Sequence, residues 1–363
     1  MAAANALWQN IKGLNNTTKF LPCNKNKMIN HTLLPNNKNI NKNIISCSQA
    51  PSSAITTASQ VSSSSSSCSS SQWPDFAKRV SGEWDGFGAD FSPEGKPFEL
   101  PENVVPEAYR EWEVKVFDWQ TQCPTLAEPD DFIAKFKLIK LLPTVGCEAD
   151  AATRHSIDER YVGGAEDNVS AFAYQSSGSY VAVWCVKNHE TYSLLELEHC
   201  LVHPQNQESR VRIIQGIRVE DSKFTMQNIK VFVEQWYGPF RNGESLGGCS
   251  IRDTAFASTE ALKSSEVSGN WQGQNAVAIF HNSQKNIQEF VEDKTENLVR
   301  DGSNLILLPK KLWCSMKEDK GETLCEVGWL FDTGHAITSK CIFSINAEVK
   351  EIATSRETAA LPE

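Results

Sequence analysis

The hexapeptide Ser81-Gly82-Glu83-Trp84-Asp85-Gly86 returns almost two hundred residues later as Ser268-Gly269-Asn270-Trp271-Gln272-Gly273. Each copy follows a valine, Val80 or Val267, and each leads into an alternating apolar stretch. A second pair lies downstream: Arg252-Asp253-Thr254-Ala255 and Arg356-Glu357-Thr358-Ala359. Its lead-in also matches with one gap, Phe240–Glu244 against Phe343–Glu348. Repeats in one order over such lengths indicate a duplicated domain rather than a short solenoid. Two units follow, Ser81–Ala255 within 73–255 and Ser268–Ala359 within 268–359, joined by a linker at 256–267.

Between these marks the pattern is β. Val181, Val183 and Cys185 alternate with Ala182, Trp184 and Val186, as in a strand buried on both faces. Ser176-Ser177-Gly178-Ser179 before it has the composition of a hairpin turn. Strands are predicted at Tyr192–Val202, Arg210–Val219 and Ile229–Trp236. In the second unit they fall at Ala276–His281, Asn304–Leu308, Leu324–Phe331, Ile337–Phe343 and Glu348–Thr354. Many short strands with turn punctuation indicate a sandwich or barrel. The stretch 120–164 breaks that rhythm and is predicted to be an insertion of loops with a helix.

Ahead of the repeat, residues 1–72 hold six Lys and no Asp or Glu, the first acid being Asp75. With a net charge of −10 for the chain, the remainder carries −10 − 6 = −16. Twelve Asn lie between Asn5 and Asn43, and twelve Ser within Ser52–Ser71. Such a stretch cannot bury enough apolar surface to offset the entropy of ordering it. An acid-free, Ser-rich, basic leader has the composition of an organellar transit peptide, and Lys without Arg points to the plastid. A disordered leader is expected, cut near Cys47, with a stromal destination. No run approaches 18 apolar residues, so no membrane-spanning helix is expected. The acidic remainder argues against nucleic acid as partner. Eight Cys lie beyond the leader at irregular spacings, which in a reducing compartment predicts mostly unpaired, buried thiols.

A Gly-x-Trp opening an antiparallel meander, with Arg near its end, resembles the calycin superfamily of lipocalin-like barrels. More narrowly, the chain resembles uncharacterised two-barrel lipocalin-like proteins of cyanobacteria and plastids. The residues that carry this likeness are Val80–Gly86, Arg210–Gln215, Leu305–Pro309 and Glu326–Leu330. The chain departs from that family after Trp329, where His335–Cys341 stands in place of an Arg-rich strand. The resemblance implies an all-β protein of two tandem antiparallel barrels. It also implies that the Trp of each opening motif plugs a barrel floor under a late Arg. Trp84 is thereby expected to pair with Arg252, and Trp271 with Arg356. Proteins of related fold include bilin lyases and allene oxide cyclase, so fold alone selects no activity.

No catalytic signature is present. His199 and His203 invite a metal reading, but four residues along a strand is about 13 Å, too far to share an ion. Neither a metal site nor a cofactor is expected. Glu196 and Glu198 share one strand face, opposite His199; inward they would form a candidate acid site, outward a solvated face, the commoner arrangement. Arg210 and Arg212 likewise share a face, and inward they could hold a carboxylate or a tetrapyrrole propionate. With Trp184 these four make the candidate ligand-binding set. Three functions follow: a non-catalytic binding protein for an apolar or pigment-like molecule, an isomerase, cyclase or lyase acting on one, and a photosynthetic assembly scaffold with no small ligand. The first leads. The polarity of the first unit's interior discriminates among them, and any large cavity is expected there, since the shorter second unit closes on its own side chains.

Overall fold

Helix α1, Trp73–Val80, is the first element among the described residues, with Pro74 in its first turn, Asp75 beside the N-terminus, and Lys78 and Arg79 in the last turn. Trp73, Phe76, Ala77 and Val80 form its buried stripe. The computed structural model describes residues 71–145, 153–189, 191–244, 255–281 and 286–360. The leader and its cleavage site therefore lie outside the described residues.

Ten strands follow in the first unit: β1 Glu83–Phe91, β2 Asp118–Gln122, β3 Thr125–Glu128, β4 Ile133–Leu141, β5 Arg154–Val162, β6 Val169–Tyr174, β7 Tyr180–Asn188, β8 Ser193–Val202, β9 Ser209–Glu220 and β10 Lys223–Gly238. The second unit adds β11 Gly269–Ile279, β12 Ile287–Glu289, β13 Val291–Arg300, β14 Ile306–Leu308, β15 Leu312–Asp319, β16 Glu322–Asp332, β17 His335–Phe343 and β18 Val349–Ala359. Helices α2, Glu107–Glu111, and α3, Ser264–Val267, are short.

The strands make two sheets. One has eleven strands in the order β12-β6-β7-β8-β9-β10-β1-β2-β4-β3, with β5 also on β4; the other has seven, β13-β11-β18-β17-β16-β15-β14. The expected all-β class is present as two sheets; the strand order shows no closed barrel among the described residues, so two tandem barrels are not confirmed. The units do not close independently. Strand β12 leaves the second unit and pairs in parallel with β6, Ile287 opposite Phe172, covering an edge that a barrel would have closed on itself.

The sheets also share their cores. Phe87 and Phe91 of β1, Val211 and Ile213 of β9 and Val231 of β10 pack with Leu308, Leu312, Cys314 and Val327 of the second sheet. Ala171, Val183 and Leu197 meet Cys325, Cys341, Phe343 and Ile352. His199 crosses this interface, its Nδ1 2.9 Å from Ser339 Oγ. The first sheet is thus covered on both faces, by the second sheet on one side and by α1 with its aromatic cluster on the other.

Two local readings need correction. The stretch 120–164 is no insertion: β2 to β5 belong to the first sheet. Ile133–Leu141 alternates, but Lys135, Lys137 and Lys140 mask the period, and β5 is largely exposed. The linker is not free either, since Phe256, Ala257, Leu262 and Val267 are all buried. Six of the eight Cys (Cys123, Cys185, Cys200, Cys314, Cys325, Cys341) are free thiols; Cys147 and Cys249 lie outside the described residues.

Candidate functional site: a charged interior

Strand register brings the charges together. Trp84 lies opposite Trp236 on β10 and Gly86 opposite Glu234, so Glu234 shares the face of Trp84. Glu234 faces Arg210 on β9, and Arg212 lies between Phe232 and Cys200. Glu198 is two residues along β8 on that same face. All five sequence candidates, Arg210, Arg212, Glu196, Glu198 and Trp184, therefore meet on the inner face of one sheet. The outward placement of the Glu pair is overturned: Glu198 is 2% exposed, Arg210 1% and Arg212 3%.

Their polar atoms are spent largely on one another. Arg210 Nε donates to Glu234 Oε2 at 2.6 Å. Arg212 donates Nη2 to Glu234 Oε1 and Nη1 to Glu198 Oε1, both at 2.7 Å. Tyr180 Oη and Trp184 Nε1 complete Glu198 at 2.8 and 2.9 Å. Glu196 accepts from Arg160 and, at 2.6 Å, from Lys230 Nζ. Each guanidinium also lies over a ring, Arg210 over Trp84 at 4.0 Å, Arg212 over Phe232 at 4.7 Å and Arg160 over Trp184 at 5.4 Å. Gly88 makes room for one of them, since a Cβ there would stand 2.5 Å from the Phe232 ring.

Burial opposes ionisation of these carboxyls, but the cations outweigh it. Lys230 and Arg160 hold Glu196 at about 2. Arg212 and Arg160 keep Glu198 below the usual carboxylate range, and Arg210 and Arg212 do the same for Glu234. On the opposite face of β1, burial, with the carboxylate of Glu83 beside it, pushes Asp85 up to about 7 against a hydrogen bond from Gln122. Arg210 Nη1 and Nη2 have no hydrogen-bond partner and rest on the indole. A crevice of about 20 Å³ lies between Phe136, Leu138, Asp158, Arg160, Glu198 and Arg212. That is room for about one water.

The two floor tryptophans behave alike in one respect. Trp84 Nε1 donates to Val80 O at 2.9 Å and Trp271 Nε1 to Val267 O at 2.8 Å, each four residues back. Of the two expected cations, the one for Trp271 is corrected and the one for Trp84 is untested. Arg252 lies outside the described residues, and Arg210 stands over Trp84. Arg356 is exposed, and the guanidinium over Trp271 is that of Arg300, at 5.5 Å. The reason is parity. Trp271 faces Ala359 on β18, so Glu357 shares its side and Arg356 points the other way. On β13, Trp271 faces Leu298 and Gly269 faces Arg300, which places Arg300 beside the indole. Arg300 donates to Glu357 Oε2 at 2.8 Å and approaches Glu326 at 3.4 Å and the Trp313 ring at 5.0 Å.

Four members of the charged interior escaped the sequence reading: Arg160, Tyr180, Lys230 and Glu234. Lys230-Val231-Phe232-Val233-Glu234 carries a signal, charges alternating with valines beside the Arg210/Arg212 strand. Arg160 carries none, because it sits in a polar strand with no apolar alternation. His203 accepts backbone N–H bonds from Gln205 and Asn206 in a turn, and His199 is buried between the sheets, so the two do not converge.

No helix among the described residues is long and apolar enough to cross a membrane. No family model and no curated protein matches the sequence. Among solved structures, the chain is similar to a protein of unknown function from the DUF3598 family of the cyanobacterium Nostoc punctiforme. The two are 14% identical, the match covers 80% of this chain and 100% of that one, and the TM-score is 0.48.

Proposed function

We propose that this chain is a non-catalytic protein that works by binding at its outer surface, with the interior of the first sheet serving as a structural ion network. One observation carries this reading: the residues with the chemistry to receive a ligand are bonded largely to each other, and the crevice that Arg160, Glu198 and Arg212 line holds about 20 Å³. Drug-sized and pigment-sized ligands take cavities of roughly 300–1,000 Å³. Glu198, a buried acid lining the crevice, is held ionised by two guanidiniums, so it offers no proton at neutral pH. A plastid stromal location belongs to the same reading on the strength of the acid-free leader. A mature N-terminus near Cys47 would support it, and one at Met1 or Ala2 in isolated plastids would refute it.

The test of the interior uses the full chain with biliverdin and N-phenyl-1-naphthylamine as probes. Neither is expected to bind in a way that responds to Leu138→Trp, which places an indole on the wall of the crevice. Saturable binding by the wild-type protein that Leu138→Trp abolishes would restore the pigment-binding reading.

A further inference from the structure

The turn between β8 and β9 reaches over the second sheet. His203 Nδ1 accepts from Gln205 N at 3.2 Å and Asn206 N at 3.1 Å, and its ring stands edge-on to Trp329 and Phe331 at 5.3 and 5.5 Å. Between this turn, the β16–β17 turn and the end of β18 lies a cleft of about 250 Å³. Pro204, Phe331 and Ala336 give it apolar walls, and Arg356, Asp332 and Glu357 are its charged residues.

These three are not equivalent. Glu357 is committed, accepting from Arg300 Nη2 at 2.8 Å and Thr338 Oγ1 at 2.6 Å. Asp332 Oδ1 accepts from Thr333 N at 2.7 Å. Arg356, turned away from Trp271 by strand parity, makes no ion pair among the described residues. We infer that this cleft is a binding site for a small monocarboxylic acid with a compact apolar body, its carboxylate taken by Arg356 and its body laid against Phe331 and Pro204.

Four features select that chemistry. Arg356 offers a planar fork that matches a carboxylate. Phe331 and Pro204 favour an apolar body over a sugar or polyol. The carboxylate of Asp332 repels a second negative charge, which disfavours dicarboxylates and phosphates, whereas that of Glu357 is neutralised by Arg300 on the other side of the strand. His335 Nδ1 lies 3.0 Å from Thr333 O; a carbonyl only accepts, so Nδ1 carries the proton. In its neutral form such a ring presents Nε2 as an acceptor for a hydroxyl or N–H on the ligand. The volume is below the usual drug-sized range, so the body is small. This inference rests on the outer surface being the working surface, and it fails separately, because loss of acid binding leaves the Leu138→Trp result untouched.

N-acetyl-L-phenylalanine and its carboxamide differ only in the charge that Arg356 would read. Calorimetric titration of the full chain should give saturable single-site binding of the acid, with the carboxamide at least about tenfold weaker. Arg356→Gln should lower acid affinity to that of the carboxamide and leave the carboxamide unchanged, with Arg356→Lys in between. Arg356 is exposed and outside the bonded network, so these variants keep the fold. The inference is overturned by equal affinity for acid and carboxamide, by no acid binding up to about 20 mM, or by an Arg356→Gln protein that binds the acid as the wild type does.

Discussion

The floors of the two units solve one problem with different parts. Both begin with a buried indole hydrogen-bonded to the carbonyl four residues before it, at Trp84 and Trp271. In the first unit the cation comes from β9, two strands away, and Arg210 belongs to a network with Arg212, Arg160 and Lys230. In the second a single Arg300, from the neighbouring strand β13, serves two indoles and two carboxylates. The repeated Gly-x-Trp therefore specifies the ring and its hydrogen bond, and leaves the cation to whichever strand has the right parity. A network of several charges also has more to lose than one Arg, since removing a member strands its partners in a dry interior.

The largest expected effect follows directly. Glu234→Ala leaves Arg210 and Arg212 without their shared carboxylate and should cost about 3–5 kcal/mol in denaturant unfolding. Glu357→Ala should cost less, because Glu326 still stands 3.4 Å from Arg300. Equal costs would erase the difference drawn between the floors.

Acid should act next, at the interface between the sheets. Burial holds His199 at about 3, well below its unfolded value near 6.5. The unfolded chain then takes up a proton that the folded chain refuses. Stability from this group is intact above about 6.5 and falls as the pH drops toward 3, by about 3 kcal/mol at pH 4. His199→Gln should flatten that part of the stability profile; an unchanged slope would remove His199 as its source.

Asp85 runs the opposite way. Its folded value of about 7 exceeds the unfolded value near 3.8, so its cost is absent below about 3.8 and grows as the pH rises toward 7. Asp85→Asn should raise stability by about 1–3 kcal/mol at pH 8 and by almost nothing at pH 4. A uniform gain at both pH values would point away from ionisation. The smallest effect is expected at Arg356, where Ala should shift stability by under about 0.5 kcal/mol because the side chain is exposed. Loss of 2 kcal/mol there would return Arg356 to the floor of the second unit.

Much of the strand pattern was legible, because β7 to β10 and β16 to β18 carry strong apolar periods between clear turns. The all-β class followed from them. Strands β4 and β5 were hidden, one by its lysines and one by its exposure. The shared core was hidden for another reason: continuous apolar runs such as Tyr180–Trp184 announce burial on two faces but not what covers the second. In the site, Arg210 and Arg212 were visible as a face, as were Glu196 and Glu198, yet whether that face turns inward depends on pairing register, which no single strand reveals. Arg300 was invisible because the rest of β13 is exposed and its one buried residue is its last. Arg356 misled because a repeat preserves position along the chain, while the side a residue points to depends on its count from Trp271 across the sheet.

The central claim is that the charged interior of the first sheet holds the protein together. A double-mutant cycle on Arg212 and Glu234, with methionine at one position and glutamine at the other, measures it by equilibrium denaturant unfolding. A coupling of about 2 kcal/mol or more is expected for a buried, doubly hydrogen-bonded pair. A coupling below about 0.5 kcal/mol would contradict the structural role and leave those side chains free for a ligand.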